Sequence, residues 1–125
     1  DLVRDKAALE LAYDDPTGVT AAFNRNILAV LNQRFGTDFV AGRWRHVALF
    51  NEALSRIEMW LEAEADMTVY WPGGERLFRA GERILTEIST KWTVSRLTGL
   101  LEEAGFGDVR CWTSPDGSFA VALGG

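Results

Sequence analysis

The chain has 125 residues, of which 47% are hydrophobic and 25% charged, and these fractions are typical of an ordinary globular protein with one core. The net charge of -5 argues against a nucleic-acid-binding surface, because such surfaces cluster lysine and arginine, whereas the basic residues here are scattered. A single cysteine, Cys111, and a single histidine, His46, exclude an internal disulfide and a structural zinc site made of soft ligands.

Targeting and membrane signals are not found in the sequence. No apolar run approaches the roughly 20 residues that span a bilayer, and no signal-peptide pattern opens the chain. The single cysteine favours a reducing compartment. We therefore expect a soluble, cytoplasmic protein that has neither nucleic-acid nor membrane partners.

The first residues have the pattern of a βα unit. Asp1–Asp5 resembles the end of a buried strand, and it runs straight into a predicted helix at Lys6–Tyr13. The cluster Asp14–Gly18 predicts a turn, in which Thr17 is the expected N-cap of the following helix. The chain is thus expected to begin in the middle of a fold.

Two more helices are predicted in the first half. Apolar residues recur every three or four positions over Val19–Phe35, and Gly36 follows as a stop signal. A shorter helix is predicted over Ala41–Val47, after a short connection. The first half of the chain is therefore predicted to be largely helical.

From Ser55 onward the apolar period changes to two. Apolar residues from Ile57 to Ala63 alternate with mostly charged ones, which predicts a strand with one buried face. A strand at Thr68–Trp71 leads into the turn Pro72–Gly74, and Arg76–Arg79 returns. This part of the chain is expected to form antiparallel strands.

The segment Ile84–Trp92 carries an acid and a hydroxyl two residues apart. In extended backbone, side chains at i and i+2 share a face, so Glu87 and Ser89 are expected to point the same way. Together they could receive a ligand that carries an N–H group, such as an imidazole, an indole or a cationic amine. The alternative is an ordinary strand edge with Glu87 in water, and the general exposure of charged residues favours it.

A helix and a hairpin are predicted to close the chain. The helix covers Thr93–Ala104 and ends at Gly105. Strands at Phe106–Thr113 and Ser118–Leu123 flank a Ser-Pro-Asp-Gly turn. Class I S-adenosylmethionine-dependent methyltransferases commonly finish with this order of elements.

Six motifs, in the same order, resemble one family, the L-histidine Nα-methyltransferases of ergothioneine biosynthesis. Together they extend over essentially the whole chain, and they are long and non-degenerate. The motifs are Asp1–Asp5, Ala12–Asp15, Gly18–Asn26, Arg56–Met59, Thr86–Lys91 and Trp112–Phe119.

The resemblance implies an α/β fold, the C-terminal part of a class I methyltransferase with a Rossmann-like sheet. Residues 1–14 and 93–125 would belong to that methyltransferase core, and residues 15–92 would form an α+β substrate-binding insertion. The glycine-rich loop and the acidic ribose contact for the cofactor, S-adenosylmethionine, would lie upstream of Asp1. The chain alone is therefore expected to be inactive and to leave a sheet edge unpaired.

The resemblance also implies a pocket for the amino acid. Tyr13 would hold the substrate carboxylate, and Glu87 and Ser89 would receive the imidazole ring. The remaining pocket residues would be Thr20, Phe23 and Met59.

Several of these residues have an ordinary alternative. Tyr13 could end its helix with the hydroxyl in water, and the apolar periods place Phe23 and Met59 in the core. His46 has no matched role in the family, and we expect it to be structural or exposed.

The implied reaction transfers methyl groups from S-adenosylmethionine to the α-amino group of L-histidine until the betaine hercynine is formed. No residue of the chain is identified as a catalytic base, and the full-length enzyme is expected to be a monomer. One alternative is a related methyltransferase for another aromatic amino acid, although such an enzyme would be expected to lose the acid at position 87. The other is a non-catalytic amino-acid-binding module.

Overall fold

Three small antiparallel sheets and three α-helices make up the computed structural model, which describes residues 1–125. None of the helices combines the length and the apolar character that crossing a bilayer requires. The helices are α1 (Lys6–Tyr13), α2 (Val19–Phe35) and α3 (Val94–Glu103). The strands are β1 (Trp44–Asn51), β2 (Arg56–Ala63), β3 (Met67–Trp71), β4 (Gly74–Phe78), β5 (Arg83–Thr90), β6 (Arg110–Thr113) and β7 (Ala120–Leu123).

Helices α1 and α2 have the predicted bounds, but the predicted N-cap of α2 is wrong. Gly18, with a left-handed φ of 75°, takes the cap position. The Asp15 carboxylate accepts the N–H groups of Val19 at 3.1 Å and Thr20 at 2.8 Å, so it stabilises the helix start from outside. Thr17 instead donates its hydroxyl to Asp15. These hydrogen bonds, first of all the one from Thr17, hold the pKa of Asp15 well below its usual value.

The predicted helix over Ala41–Val47 is also wrong. A 3-10 turn at Ala41–Arg43 leads directly into β1, which pairs antiparallel with β2 along its whole length. The Trp44 side chain is fully buried, with its ring centroid 5.7 Å from that of Phe39 and 5.0 Å from that of Phe78. Tertiary packing of this strand therefore overrides the local helical pattern.

The main sheet has the order β1-β2-β5, with β2 in the middle. The predicted alternation along β2 is confirmed, since every second residue on one face is at most 2% exposed, namely Ile57, Met59, Leu61 and Ala63. Glu58 on the other face is buried as well, and it forms an ion pair with Arg56 at 2.7 Å. The prediction of a single buried face was therefore incomplete.

A β-bulge interrupts the pairing of β2 with β5. Met59 lies opposite Glu87, whereas Trp60 lies opposite Leu85, so Thr86 is the extra residue. The Thr86 hydroxyl donates to the Met59 carbonyl at 2.9 Å. Because of this register, Glu87 and Ser89 share the sheet face of Met59, as the two-residue spacing predicts.

The core consists of two apolar clusters. The larger one lies between α2, β1, β2 and the β3-β4 hairpin, and the smaller one lies between α1 and the main sheet. The smaller cluster contains Leu9, Phe50, Ile57 and Met59, with Tyr13 packed against it. Tyr13 therefore sits at the edge of a packed core.

The first residues contact both the β5-α3 junction and the final hairpin. Leu2 forms a parallel bridge with Trp92, and its N–H donates to the Ser118 carbonyl at 3.0 Å. The predicted closing helix and hairpin are confirmed, but the first hairpin strand begins at Arg110 and not at Phe106, and the second begins at Ala120 and not at Ser118. Thr93 caps α3, its hydroxyl accepting the Arg96 N–H at 3.2 Å, and Gly105 follows with a left-handed φ of 92°.

Candidate functional site

A polar cluster joins the end of α1 to the end of β5. The Tyr13 hydroxyl donates to Ser89 Oγ at 2.9 Å. Lys91 Nζ donates to Tyr13 Oη at 2.7 Å and to Ser89 Oγ at 3.0 Å. The alternative in which the Tyr13 hydroxyl ends in water is therefore wrong. Two residues that lie 76 positions apart in the chain are brought into direct contact.

Lys91 is the residue of this cluster that the sequence interpretation missed. Its side chain is 1% exposed, and it also donates to Asp1 Oδ2 at 3.0 Å. Its ammonium nitrogen lies 4.6 Å from the centre of the Tyr13 ring, within the range of a cation–π contact. The signal was present, because Lys91 continues the two-residue spacing that begins with Glu87 and Ser89.

The cluster changes the acidity of Tyr13. Burial by itself raises the pKa of the phenol, but the hydrogen bonds with Lys91 and Ser89 and the positive charge of Lys91 outweigh it. The nearby negative charge of Glu87 opposes the shift. The net effect is a pKa of Tyr13 below its ordinary value.

A spectrophotometric titration is expected to show this shift. In the full-length protein that contains residues 1–125, we subtract the phenolate absorbance of Tyr13→Phe from that of the unsubstituted protein. The difference should have a midpoint below the value of about 10 for free tyrosine. Because the fold favours the phenolate, the ionisation of Tyr13 adds stability that is complete above a pH of about 10 and is lost as the pH falls through this midpoint, so it adds none at neutral pH. A midpoint at or above 10 would contradict the geometry of the cluster.

A cavity of about 210 Å³ lies beside the cluster, between α2 and the bulge in β5. Glu87 is exposed and lines this cavity, so its carboxylate is not buried. Thr20 lies one turn before Phe23 on the same face of α2. The lining residues are Phe23, Asn24, Asn26, Ile27, Thr86 and Glu87.

The two apolar residues predicted for the pocket, Phe23 and Met59, differ in their burial. Phe23 is 66% exposed and faces the cavity, so its core alternative is wrong. Met59 is 2% exposed and packs in the smaller core cluster, as its period predicts. Because Met59 also lies opposite Glu87 in the sheet, it can support the pocket from below. The binding roles of all six predicted residues stay predictions.

A buried hydrogen-bond chain fixes α1 against α2. His46 is 7% exposed, and its Nε2 lies 2.8 Å from the Tyr13 carbonyl, which can only accept. Nε2 therefore carries a proton, and Nδ1 accepts from Asn24 Nδ2 at 2.9 Å. Asn24 also donates to the Trp60 carbonyl at 3.1 Å. His46 was expected to be structural or exposed, and the structure shows it to be buried and structural, whereas Asn24 was not predicted.

Neither the junction from Leu2 to α1 nor the cavity beside the cluster fits S-adenosylmethionine. In α/β folds such a cofactor lies on a glycine-rich turn between a parallel strand and a helix N-terminus. The equivalent junction here, Leu2 to α1, has no glycine, and its cap residue Asp5 already accepts the Ala8 N–H at 3.1 Å. The cavity beside the cluster, at about 210 Å³, is also smaller than the roughly 300–1,000 Å³ of pockets that hold drug-sized ligands.

Comparisons with known proteins agree on one family. Residues 1–124 match a family model described as histidine-specific methyltransferase, SAM-dependent. The chain is similar to a histidine N-alpha-methyltransferase of Mycobacterium tuberculosis, with 44% identity over 98% of this chain and 39% of the relative. It is likewise similar to the enzyme of that name from Mycolicibacterium smegmatis, with 45% identity over the same shares.

A more distant relative is the ergothioneine biosynthesis protein 1 of Schizosaccharomyces pombe. It is 33% identical over 82% of this chain and 14% of the relative. The chain thus spans about two fifths of the length of the two bacterial relatives and a smaller share of the yeast protein.

Proposed function

The chain belongs to the family of histidine-specific, SAM-dependent methyltransferases, and we propose that it forms the amino-acid-binding part of an enzyme that methylates L-histidine. The methyl donor is S-adenosylmethionine, the acceptor is the α-amino group, and the product is the trimethylated betaine hercynine. The names of the bacterial relatives support the reaction, and the name of the yeast relative supports a place in ergothioneine biosynthesis.

One observation carries the proposal, namely that Tyr13, Ser89 and Glu87 converge between α1 and β5. Tyr13 and Ser89 are hydrogen-bonded at 2.9 Å, and Glu87 is close enough to affect the pKa of Tyr13. A phenol donor suits a carboxylate, and a carboxylate acceptor suits an imidazole N–H. L-Histidine offers both groups at opposite ends, with its α-amino group between them.

Substrate binding requires Tyr13 to exchange one partner. The hydroxyl that donates to Ser89 in this structure turns to the substrate carboxylate. Ser89 Oγ still accepts from Lys91 at 3.0 Å, so it keeps a partner after the exchange. The exchange replaces one hydrogen bond by another and therefore costs little.

Orientation is the main chemical contribution of this chain. S-adenosylmethionine, when bound, supplies a methyl carbon that is open to nucleophilic attack. By holding the carboxylate and the ring, Tyr13, Ser89 and Glu87 leave the amine as the free nucleophile of the substrate. Such positioning can supply roughly 7–11 kcal/mol of the barrier in favourable cases. The amine must be neutral when it attacks, and we assign no base to this chain.

The division of the chain follows from the same proposal. Residues 1–14 and 93–125 belong to a Rossmann-like methyltransferase core, and residues 15–92 form the substrate-binding insertion. The parallel bridge of Leu2 with Trp92, the last residue of the insertion, supports a return to the core at this boundary, because parallel pairing is the rule in such cores. So does the hydrogen bond from Leu2 to Ser118, which links the two core segments.

The proposal is tested with the full-length protein that contains residues 1–125. The protein is incubated with S-adenosylmethionine and a panel of L-amino acids, and methylated products are followed by mass spectrometry. We expect trimethylated histidine, with other aromatic amino acids disfavoured by more than about 100-fold in kcat/KM. Faster methylation of another aromatic amino acid would support the related enzyme. Histidine binding without any methylation would support the non-catalytic binding module.

A further inference from the structure

We infer that Lys91 is a positioning residue for carboxylate recognition: it directs the Tyr13 proton toward the substrate and provides the positive charge behind it. The inference rests on the proposed function, since it concerns the same pocket. Lys91 does not touch the substrate in this arrangement. It acts through the Tyr13 hydroxyl, which would contact the carboxylate.

The first step is a count of the protons on Lys91. An ammonium group has three N–H donors and no acceptor. All three are used, because Nζ lies 3.0 Å from Asp1 Oδ2, 2.7 Å from Tyr13 Oη and 3.0 Å from Ser89 Oγ. The side chain is 1% exposed, so its place is fixed by these partners and not by water.

The second step concerns the direction of the Tyr13 hydroxyl. Since Lys91 can only donate, the Tyr13 oxygen must accept from it, and the single phenolic proton must point elsewhere. In this structure that proton forms the hydrogen bond from Tyr13 to Ser89 Oγ. Because Lys91 also donates to Ser89, the serine stays satisfied when the proton turns to a ligand. The Tyr13 hydroxyl can therefore turn from Ser89 and donate its hydrogen bond to a substrate carboxylate.

The third step concerns charge. A carboxylate that enters a pocket must be compensated by hydrogen bonds or by a cation. A charged group that donates to a hydroxyl also polarises it and makes it a stronger donor. Lys91 donates to the Tyr13 hydroxyl in this way, but its positive charge is partly neutralised by an ion pair with Asp1, whose side chain is 44% exposed. Glu87, on the same side, is also negative. Lys91 is thus the group that offsets both acids near the expected carboxylate position.

The test compares a ligand that has the carboxylate with one that lacks it. Binding of L-histidine and of histamine to the full-length protein is measured by calorimetry, for the unsubstituted protein, Lys91→Met, Tyr13→Phe and the double variant. We expect Lys91→Met to weaken L-histidine binding by about 10- to 150-fold and histamine binding by less than about 3-fold. The double variant should bind L-histidine about as weakly as Tyr13→Phe alone, because both residues act on one contact.

A second variant covers the case in which Lys91→Met does not fold. Asp1→Asn changes a half-exposed side chain and removes the acid that shares the Lys91 charge. It should raise the preference for L-histidine over histamine by about 2- to 5-fold. The inference is overturned if Lys91→Met weakens both ligands equally, or if Asp1→Asn leaves the preference unchanged. If the unsubstituted protein does not bind L-histidine at all, the proposed function itself fails.

Discussion

Replacing Glu87 by alanine is expected to lower kcat/KM for L-histidine by about 10- to 150-fold in the full-length protein, the range for a lost hydrogen bond to a charged group. Glu87 lines the cavity, and it is the carboxylate there that can accept the imidazole N–H. Its exposure in this structure means that the substitution removes no core contact. The fold should therefore survive while recognition is lost.

Matched variants show whether the effect belongs to the carboxylate in the pocket. Glu75→Ala makes the same change at an exposed position of β4, in a different sheet, and should alter kcat/KM by less than about 2-fold. Glu87→Gln keeps a carbonyl acceptor without the charge and should lie between the two. Mass spectrometry of the methylated product provides the rates. Histidine activity that is indifferent to Glu87→Ala would leave the family assignment intact and refute the pocket.

Replacing Tyr13 by phenylalanine is expected to raise KM for L-histidine by about 10- to 100-fold, with a smaller fall in kcat. The variant loses the donor for the carboxylate but keeps the ring, which packs against the smaller core cluster. It also leaves one N–H of buried Lys91 without its partner, so the variant should be less stable by about 1–3 kcal/mol.

The control for this variant is Tyr70→Phe. Tyr70 is 52% exposed on β3, and its hydroxyl forms no hydrogen bond within the protein, so KM should not change. Thermal unfolding of both variants separates loss of fold from loss of binding. An unchanged KM in a folded Tyr13→Phe protein would mean that the substrate carboxylate binds elsewhere.

The pairing of β2 with β5 brings the two halves of the pocket together. Met59 lies opposite Glu87 and Ile57 lies opposite Ser89, so Glu87 and Ser89 share the face of Met59. On that face Ser89 contacts Tyr13, and Glu87 lines the cavity. The two-residue spacing within β5 predicts that Glu87 and Ser89 share a face of the sheet. It does not predict which residues of β2 lie on that face beside them.

Local sequence determined the features that depend on neighbouring residues. The bounds of α1 and α2 follow from apolar period and from Gly36, whose left-handed φ of 66° ends α2. The alternation in β2, the Thr93 cap and the closing hairpin are likewise confirmed. In each case the interactions that decide the structure lie within a few positions, or repeat with the period of the element.

Tertiary structure decided the features that depend on residues far apart in the chain. Residues 44–47 form a strand and not a helix because β2 supplies the backbone partners and the aromatic core accepts Trp44. Lys91 becomes the centre of the site because α1 brings Tyr13 within 2.7 Å of it across 78 positions. A period or a motif does not predict the distance between residues that lie far apart in the chain. Sequence analysis therefore identified Tyr13 and Ser89, but only the fold showed that the buried Lys91 connects them.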